Sequence, residues 1–147
     1  MTRIGKLALI GAALAFAPGM ALAEDVDLGK MEYMSNCATC HGLIGKGDGP
    51  YLKFLMVSEY VPPSLPDLTV LAKNNDGIFP SDRVYEVIDG RAEVRAHGPR
   101  LMPIWGVEYS KEAAEYYRSV FRVNDIESFV SKRISSLIAY IQSIQEK

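Results

Sequence analysis

The chain contains 147 residues, of which 48% are hydrophobic and 23% are charged. This is enough apolar material for one domain built around a single core. Its 16 basic and 18 acidic side chains give a formal net charge of −2. Because the charges form no block of one sign, we expect no nucleic-acid partner.

Residues 1–23 have the features of a secretory signal peptide: a basic start, an apolar alanine-rich run over 7–16, and the small residues Ala21 and Ala23 at the positions that a signal peptidase reads. The alternative is an uncleaved membrane anchor. The apolar run is short for a bilayer span, and a proline and a glycine follow it. We therefore predict cleavage before Glu24 and an exported chain of residues 24–147. Removing the two basic residues of the leader from 16 leaves 14 against 18 acidic residues, a formal charge of −4.

The exported chain opens with a predicted helix over residues 27–36. Met31, Tyr33 and Met34 share one apolar side of this helix, and the two methionines are expected to fill the core. Gly29 lowers helix stability relative to alanine. Its presence inside the helix predicts close approach of another helix at this point.

The helix leads into Cys37-Ala38-Thr39-Cys40-His41, and Cys-x-x-Cys-His is typical of a c-type haem attachment site. Two thiols at this spacing can form thioethers with the two vinyl groups of one haem, which makes His41 the first axial iron ligand. A redox dithiol or half of a zinc site would use the same thiols. Zinc would need two more ligands, for which the chain offers only His97, and no βαβ pattern surrounds the motif. We therefore predict one covalently bound haem c.

Residues 42–50 follow the motif and hold four glycines and a proline. These residues exclude a stable helix and predict a tight loop wrapped on a flat body. The phosphate-binding pattern Gly-x4-Gly-Lys-[Ser/Thr] is absent. A short helix over 51–58 and an extended proline-rich strap at 61–66 are expected next.

The middle of the chain predicts two further helices. Asp67 is expected to cap a short one that stops at residues 74–77. Ser81 is expected to cap the next, which Gly90 ends. Residues 91–106 contain two glycines and two prolines and are predicted to be loop.

The last part of the chain predicts two more helices. One begins at Ser110 and runs to about residue 121. Asn124 and Glu127 resemble a capping box before the other, whose apolar residues repeat at three- and four-residue steps through 130–144. No segment alternates like a strand, so we predict an all-α protein with long ordered loops.

The second axial ligand decides what a bound haem can do, because a closed iron site favours electron transfer and an open one permits ligand binding. Met102 lies in a Gly/Pro loop that can bring its sulfur to the iron, and Pro103 keeps its backbone extended. We predict Met102 as the ligand. His97 is the rival, and Met56 is expected to pack in a short apolar helix.

Several residues could support the haem without binding iron. His97 could bond to a haem propionate, and Arg91, Arg95 and Arg100 could neutralise propionate charge. Trp105, the only tryptophan, could donate its N–H to a propionate or pack in the core.

These residues together resemble a class I, mono-haem c-type cytochrome of the bacterial periplasmic branch. The resemblance rests on Gly29-x3-Tyr33-x3-Cys37-x2-Cys40-His41, the loop 42–50, Met102-Pro103, Leu137 with Tyr140 and Ile141, and the segments 66–69, 88–91 and 96–98. It implies a cytochrome c-like fold with loops wrapped round one haem, whose last helix crosses the first at Gly29. It also implies that the Pro50 carbonyl orients the imidazole of His41. The segment 108–122, with a helix around 110–121, departs from the family pattern.

The resemblance implies an electron carrier of the periplasm rather than an enzyme, which passes single electrons through the haem edge between redox protein partners. A dehydrogenase, terminal oxidase or reductase would be such a partner, and peripheral membrane association stays open. One alternative is a haem subunit of an exported dehydrogenase or oxidase complex, with the extra helix as interface. Another is a haem enzyme or sensor whose sixth iron site opens.

Overall fold

The computed structural model describes residues 19–55, 65–92, 102–120 and 126–147. Within these residues the fold is all-α, as predicted, and contains no β-strand. The helices are α1 (Gly19–Asn36), α2 (Ala38–His41), α3 (Leu52–Leu55), α4 (Ser81–Asp89), α5 (Trp105–Val120) and α6 (Ile126–Ser143), and 3₁₀ turns occupy Leu68–Val70 and Lys73–Asn75.

Some predictions fall outside the described residues. They concern most of the signal peptide, the proline-rich strap before residue 65, and the side chains Met56, Arg95, His97, Arg100 and Asn124. The helix expected over 51–58 is described only over Leu52–Leu55.

α1 and α6 cross with their backbones in contact. Gly29 of α1 is buried, and a β-carbon built on it would overlap the main-chain carbonyl of Ser136 in α6. Close to this crossing the rings of Tyr33 and Tyr140 pack with their centroids 5.2 Å apart. The close approach predicted from the glycine is therefore confirmed.

The buried side of α1 differs from the predicted one. Met31 is 67% exposed and Met34 is also exposed, so the expectation that they fill the core is wrong. Of the predicted side only Tyr33 is buried, and it shares the buried side with Gly29 and Glu32, which precede it at helical spacing. A carboxylate occupies that side because Arg133 of α6 pairs with it.

The short elements after residue 65 begin as their capping chemistry dictates. The Oδ1 atom of Asp67 accepts a hydrogen bond of 2.8 Å from the Thr69 amide, which confirms Asp67 as a cap, although of a 3₁₀ turn. A second 3₁₀ turn covers Lys73–Asn75, and the chain turns only at Asp76, which has a φ of 54°. The helical segment therefore ends within the predicted stop at 74–77, although it consists of two 3₁₀ turns rather than one helix.

α4 and α5 both begin earlier than predicted. Ser81 is the first residue of α4, and Pro80 occupies the capping position without a side-chain bond. α5 begins at Trp105, so residues 105 and 106 are helical rather than loop. Ser110 lies inside α5, where its hydroxyl donates to the Gly106 carbonyl at 2.7 Å, one turn back. Gly90 ends α4 as predicted, with a φ of 88°.

α6 closes the core against the other helices. Its buried apolar residues follow the predicted helical repeat and include Val130, Ile134, Leu137, Ile138 and Ile141. From α5, Tyr109 and Ala113 reach the same interior and are fully buried. Cys37 belongs to this buried cluster, so the Cys-x-x-Cys-His segment is anchored in the core of the fold.

Candidate haem-binding site

An apolar cavity lies beside the Cys-x-x-Cys-His segment. Its empty space, including the open mouth, is about 870 Å³. Cys37, His41 and Met102 all line it, although Met102 is more than sixty residues from the motif in the sequence. The other walls are mainly apolar side chains of α4 and α6, such as Val84 and Leu137. The fold therefore brings one of the two predicted attachment cysteines and both predicted axial ligands to one cavity, whereas Cys40 is not among the lining residues.

Main-chain hydrogen bonds fix the orientation of the motif. The Cys37 amide donates to the Tyr33 carbonyl at 2.8 Å, which carries the α1 backbone pattern past its last residue. The His41 amide donates to the Cys37 carbonyl, also at 2.8 Å. Residues four apart in such a turn lie on the same side. For this reason Cys37 and His41 both face the cavity.

The two cysteines are not joined in a disulfide, and their surroundings favour the thiol over the thiolate. Burial, followed by the nearby carboxylate of Glu32 and the neighbouring Cys40, raises the pKa of Cys37 to about 12. Burial also raises the pKa of Cys40. A redox dithiol needs a thiolate, which a lowered pKa provides. The environment of these two thiols therefore disfavours the dithiol alternative.

The glycine-rich loop packs directly against the motif. The amides of Gly47 and Gly49 donate to the carbonyls of His41 and Cys40 at 2.9 and 3.1 Å, and the Tyr33 hydroxyl donates to the Gly42 carbonyl at 2.7 Å. Gly47 has a φ of 77°, and a β-carbon there would overlap the Leu65 carbonyl, so only glycine fits. The loop thus holds residues 40–42 in place.

Pro50 ends this loop with an exposed side chain. It does not line the cavity. The Nδ1 atom of His41 is shielded from solvent, as an imidazole held in one orientation requires. The role of the Pro50 carbonyl stays a prediction.

A polar cluster secures the segment that forms another wall of the cavity. Lys46 Nζ donates to Thr69 Oγ1 at 2.6 Å and to Asp67 Oδ2 at 3.1 Å, and it also pairs with Glu146. The side chain of Gln145 accepts from the Ala72 amide at 2.9 Å and donates to the Leu68 carbonyl at 2.7 Å. The end of the chain thereby holds residues 66–72 against the glycine-rich loop.

The residues predicted to contact haem propionates either do not line the cavity or lie outside the described residues. Arg91 pairs with Asp89 and stacks over the Tyr85 ring at 5.2 Å, and it does not line the cavity. Trp105 packs against Tyr109, with ring centroids 5.7 Å apart, and does not line it either. Of the two roles predicted for Trp105, packing against the core is therefore the better supported. His97 lies outside the described residues.

Arg83 lines the cavity and was not singled out from the sequence. Among the described lining residues it is the only one with a full charge at neutral pH, and it pairs with Glu86 at 3.9 Å. The sequence does contain a signal that could have identified Arg83. Arg83 shares the helical spacing of Val84 and Val87 on α4, which places one cation on an otherwise apolar side.

The donor set of this cavity fits a covalently held haem. It offers a thiol of the attachment motif, an imidazole, a thioether and a cation within apolar walls. Soft sulfur and imidazole donors suit haem iron, and apolar walls suit the macrocycle. Each of these contributions comes from a residue that the structure places at the cavity.

A comparison with protein-family models identifies the family of the chain. The family model for cytochrome c matches residues 26–145. No curated protein and no solved structure matches the chain. Within the described residues, no helix has both the length and the apolar character needed to cross a bilayer. Proteins of the matching family bind haem c covalently and use it for electron transfer. Because the match spans most of the length of the chain, the chain belongs to the cytochrome c family.

Proposed function

We propose that this protein is a mono-haem c-type cytochrome of the bacterial periplasm that carries single electrons between redox protein partners. Cys37 and Cys40 would hold the haem through thioethers, and His41 and Met102 would be its axial iron ligands. The observation that carries the proposal is the convergence of Cys37, His41 and Met102 on one apolar cavity.

Bound haem would supply a one-electron couple at the iron. The chain's own residues set the conditions for that couple. The apolar walls from α4 and α6 exclude water, and the loop 42–50 fixes the imidazole of His41 through the backbone. A methionine thioether favours the ferrous state and therefore raises the reduction potential. A site closed by two side chains supports electron transfer rather than substrate chemistry.

The location and partners belong to the same proposal. Residues 1–23 would direct export and be removed before Glu24, which leaves a chain with a formal charge of −4. A net negative charge favours docking to a basic surface on a dehydrogenase, oxidase or reductase. Electrons would pass through the haem edge that the open mouth of the cavity leaves accessible.

Optical spectra of the exported protein test the ligand assignment. The oxidised wild type should show the far-red sulfur-to-iron charge-transfer band, and the reduced form should not bind carbon monoxide. Met102→Ala should abolish the band and lower the potential. Met31→Ala is the matched control, because Met31 is 67% exposed and its removal should change neither. A band that survives in Met102→Ala, or carbon monoxide binding by the wild type, would favour the sensor or enzyme alternative instead.

A further inference from the structure

A buried ion pair joins α1 to α6 beside the attachment motif. The side chain of Glu32 is only 10% exposed, and that of Arg133 only 17%. Arg133 donates two parallel hydrogen bonds of 2.8 Å, from Nε to Oε1 and from Nη2 to Oε2 of Glu32. This bidentate arrangement fixes both charges in one geometry.

Two neighbours complete the coordination of the Glu32 carboxylate. The buried hydroxyl of Tyr109, from α5, donates to Oε2 at 3.2 Å, and Asn36 Nδ2 donates to the same atom at 3.1 Å. The guanidinium of Arg133 lies 4.2 Å from the centre of the Tyr109 ring and pairs on its other side with Glu112 of α5. The cluster of Glu32, Arg133 and Glu112 therefore carries a formal charge of −1.

Two buried tyrosines connect this cluster to the cavity and to Cys37. Tyr33, the residue after Glu32, lines the cavity, and Tyr109 shares the buried core with Cys37. Burial is the larger cause of the raised pKa of Cys37, and the carboxylate of Glu32 is the next. The charge of Glu32 therefore acts electrostatically at the attachment cysteine. Charges with so little exposure are weakly screened by water and salt.

We propose that the Glu32–Arg133 pair sets the reduction potential of the haem, with Arg133 cancelling the carboxylate that would otherwise stabilise the ferric state. The inference rests on the proposed function, because it needs a haem at Cys37. Ferric haem carries one more positive charge than ferrous haem. A nearby negative charge therefore lowers the potential and a nearby positive charge raises it. Glu32 and Arg133 would act through their charges and would not bind the iron.

A merely structural clamp makes a different prediction from a charge effect. If the pair only held α1, α5 and α6 together, removing either partner would loosen the same contact and move the potential in the same direction. A charge effect moves it in opposite directions. The signs of two neutralising substitutions therefore separate the two accounts.

The experiment is a redox titration of the exported holoprotein and its variants at one fixed pH. Glu32→Gln should raise the potential and Arg133→Gln should lower it. We expect each to change the ferric-to-ferrous ratio at a fixed applied potential by at least about threefold, or ~30 mV at 59 mV per tenfold. Arg133→Lys keeps the charge and should leave the potential near that of the wild type.

An exposed ion pair on α5 provides the control for these substitutions. The exposed pair Glu108–Lys111 on α5 is 2.8 Å apart, and Glu108→Gln and Lys111→Gln should move the potential much less. If Arg133→Gln does not fold, Glu112→Gln and Glu112→Lys replace it, because both break the same exposed ion pair but change the local charge by different amounts. A charge effect raises the potential about twice as far in Glu112→Lys as in Glu112→Gln, and equal shifts in the two variants would overturn the inference. Shifts of the same sign for Glu32→Gln and Arg133→Gln, or none larger than the controls, overturn the inference. A wild type without haem gives no titration and overturns the proposed function itself.

Discussion

Gly29 of α1 lies so close to Ser136 of α6 that a β-carbon on the glycine would overlap the serine carbonyl oxygen. Gly29→Ala must therefore push the two helices apart. Overpacking of this kind costs about 1–3 kcal/mol, and a contact with rigid backbone belongs at the upper end. The gain in helix propensity returns only about 1 kcal/mol. We expect a net loss of about 2 kcal/mol in the free energy of unfolding, measured by urea denaturation of the holoprotein.

The neighbouring substitution Lys30→Ala is the control for Gly29→Ala. Lys30 is exposed, and replacing it should change the free energy of unfolding by less than about 0.5 kcal/mol. Equal stability of Gly29→Ala and the wild type would mean that the helices do not touch at this crossing.

Ser136 contributes a second testable feature at the same crossing. Its side chain is buried, and its hydroxyl has no hydrogen-bond partner among the described residues. A buried hydroxyl without a partner costs about 1–3 kcal/mol in desolvation. Ser136→Ala should therefore raise the free energy of unfolding by about 1 kcal/mol, whereas Ser135→Ala, at an exposed position, should change it little. A clear loss of stability in Ser136→Ala would show that the hydroxyl is bonded.

Asp67 should make the stability depend on pH in the acid range. Burial alone would raise its pKa, but hydrogen bonds from Thr69 and then Lys46 outweigh burial and hold the pKa below its usual value. A carboxyl with a lowered pKa in the folded state stabilises the fold above its unfolded pKa of about 3.9, and that stabilisation is lost as the pH falls through the folded pKa.

Urea midpoints of the holoprotein between about pH 7 and pH 3 test this dependence. Asp67→Asn should be less stable than the wild type at pH 7, and the difference should shrink toward pH 3. Asp76→Asn is the control, because Asp76 is exposed and asparagine tolerates its left-handed backbone. A difference between Asp67→Asn and the wild type that stays constant with pH would contradict the assignment.

The cavity predicts that the fold depends on its cofactor. Its walls join α1, α4, α6 and the segment around Leu68, and these contacts lose their packing partner without haem. The double variant Cys37→Ala/Cys40→Ala, and the wild-type chain produced in cells that cannot attach haem, should both lose most of their helical far-ultraviolet circular dichroism. The wild-type chain controls for the altered side chains. Native-like helicity in both samples would contradict this dependence.

Local signals in the sequence determine much of this fold. The Cys-x-x-Cys-His spacing locates the attachment site, and the unfavourable Gly29 marks the helix crossing before α6 is known. The repeat of apolar residues in α6 is strong enough to predict its buried side. In each case a few neighbouring residues carry the information.

Contacts between distant residues were not predictable in this way. The apolar pattern of α1 predicted that Met31 and Met34 are buried, yet Glu32 is buried instead because it pairs with Arg133. Arg133 lies 101 residues further along the chain, so no local pattern indicates the pair. The sequence predicted cations for the haem propionates in the loop after Gly90, whereas the cation that the structure places at the cavity is Arg83 of α4. Such pairings depend on how the helices pack, and one sequence does not reveal the packing.

Mass spectrometry of the exported protein tests the central claim most directly. We expect the intact mass to exceed that of residues 24–147 by one haem, and peptide mapping to place that haem on Cys37 and Cys40. An intact mass equal to that of the polypeptide alone, or two unmodified thiols in the mapped peptide, would contradict the account.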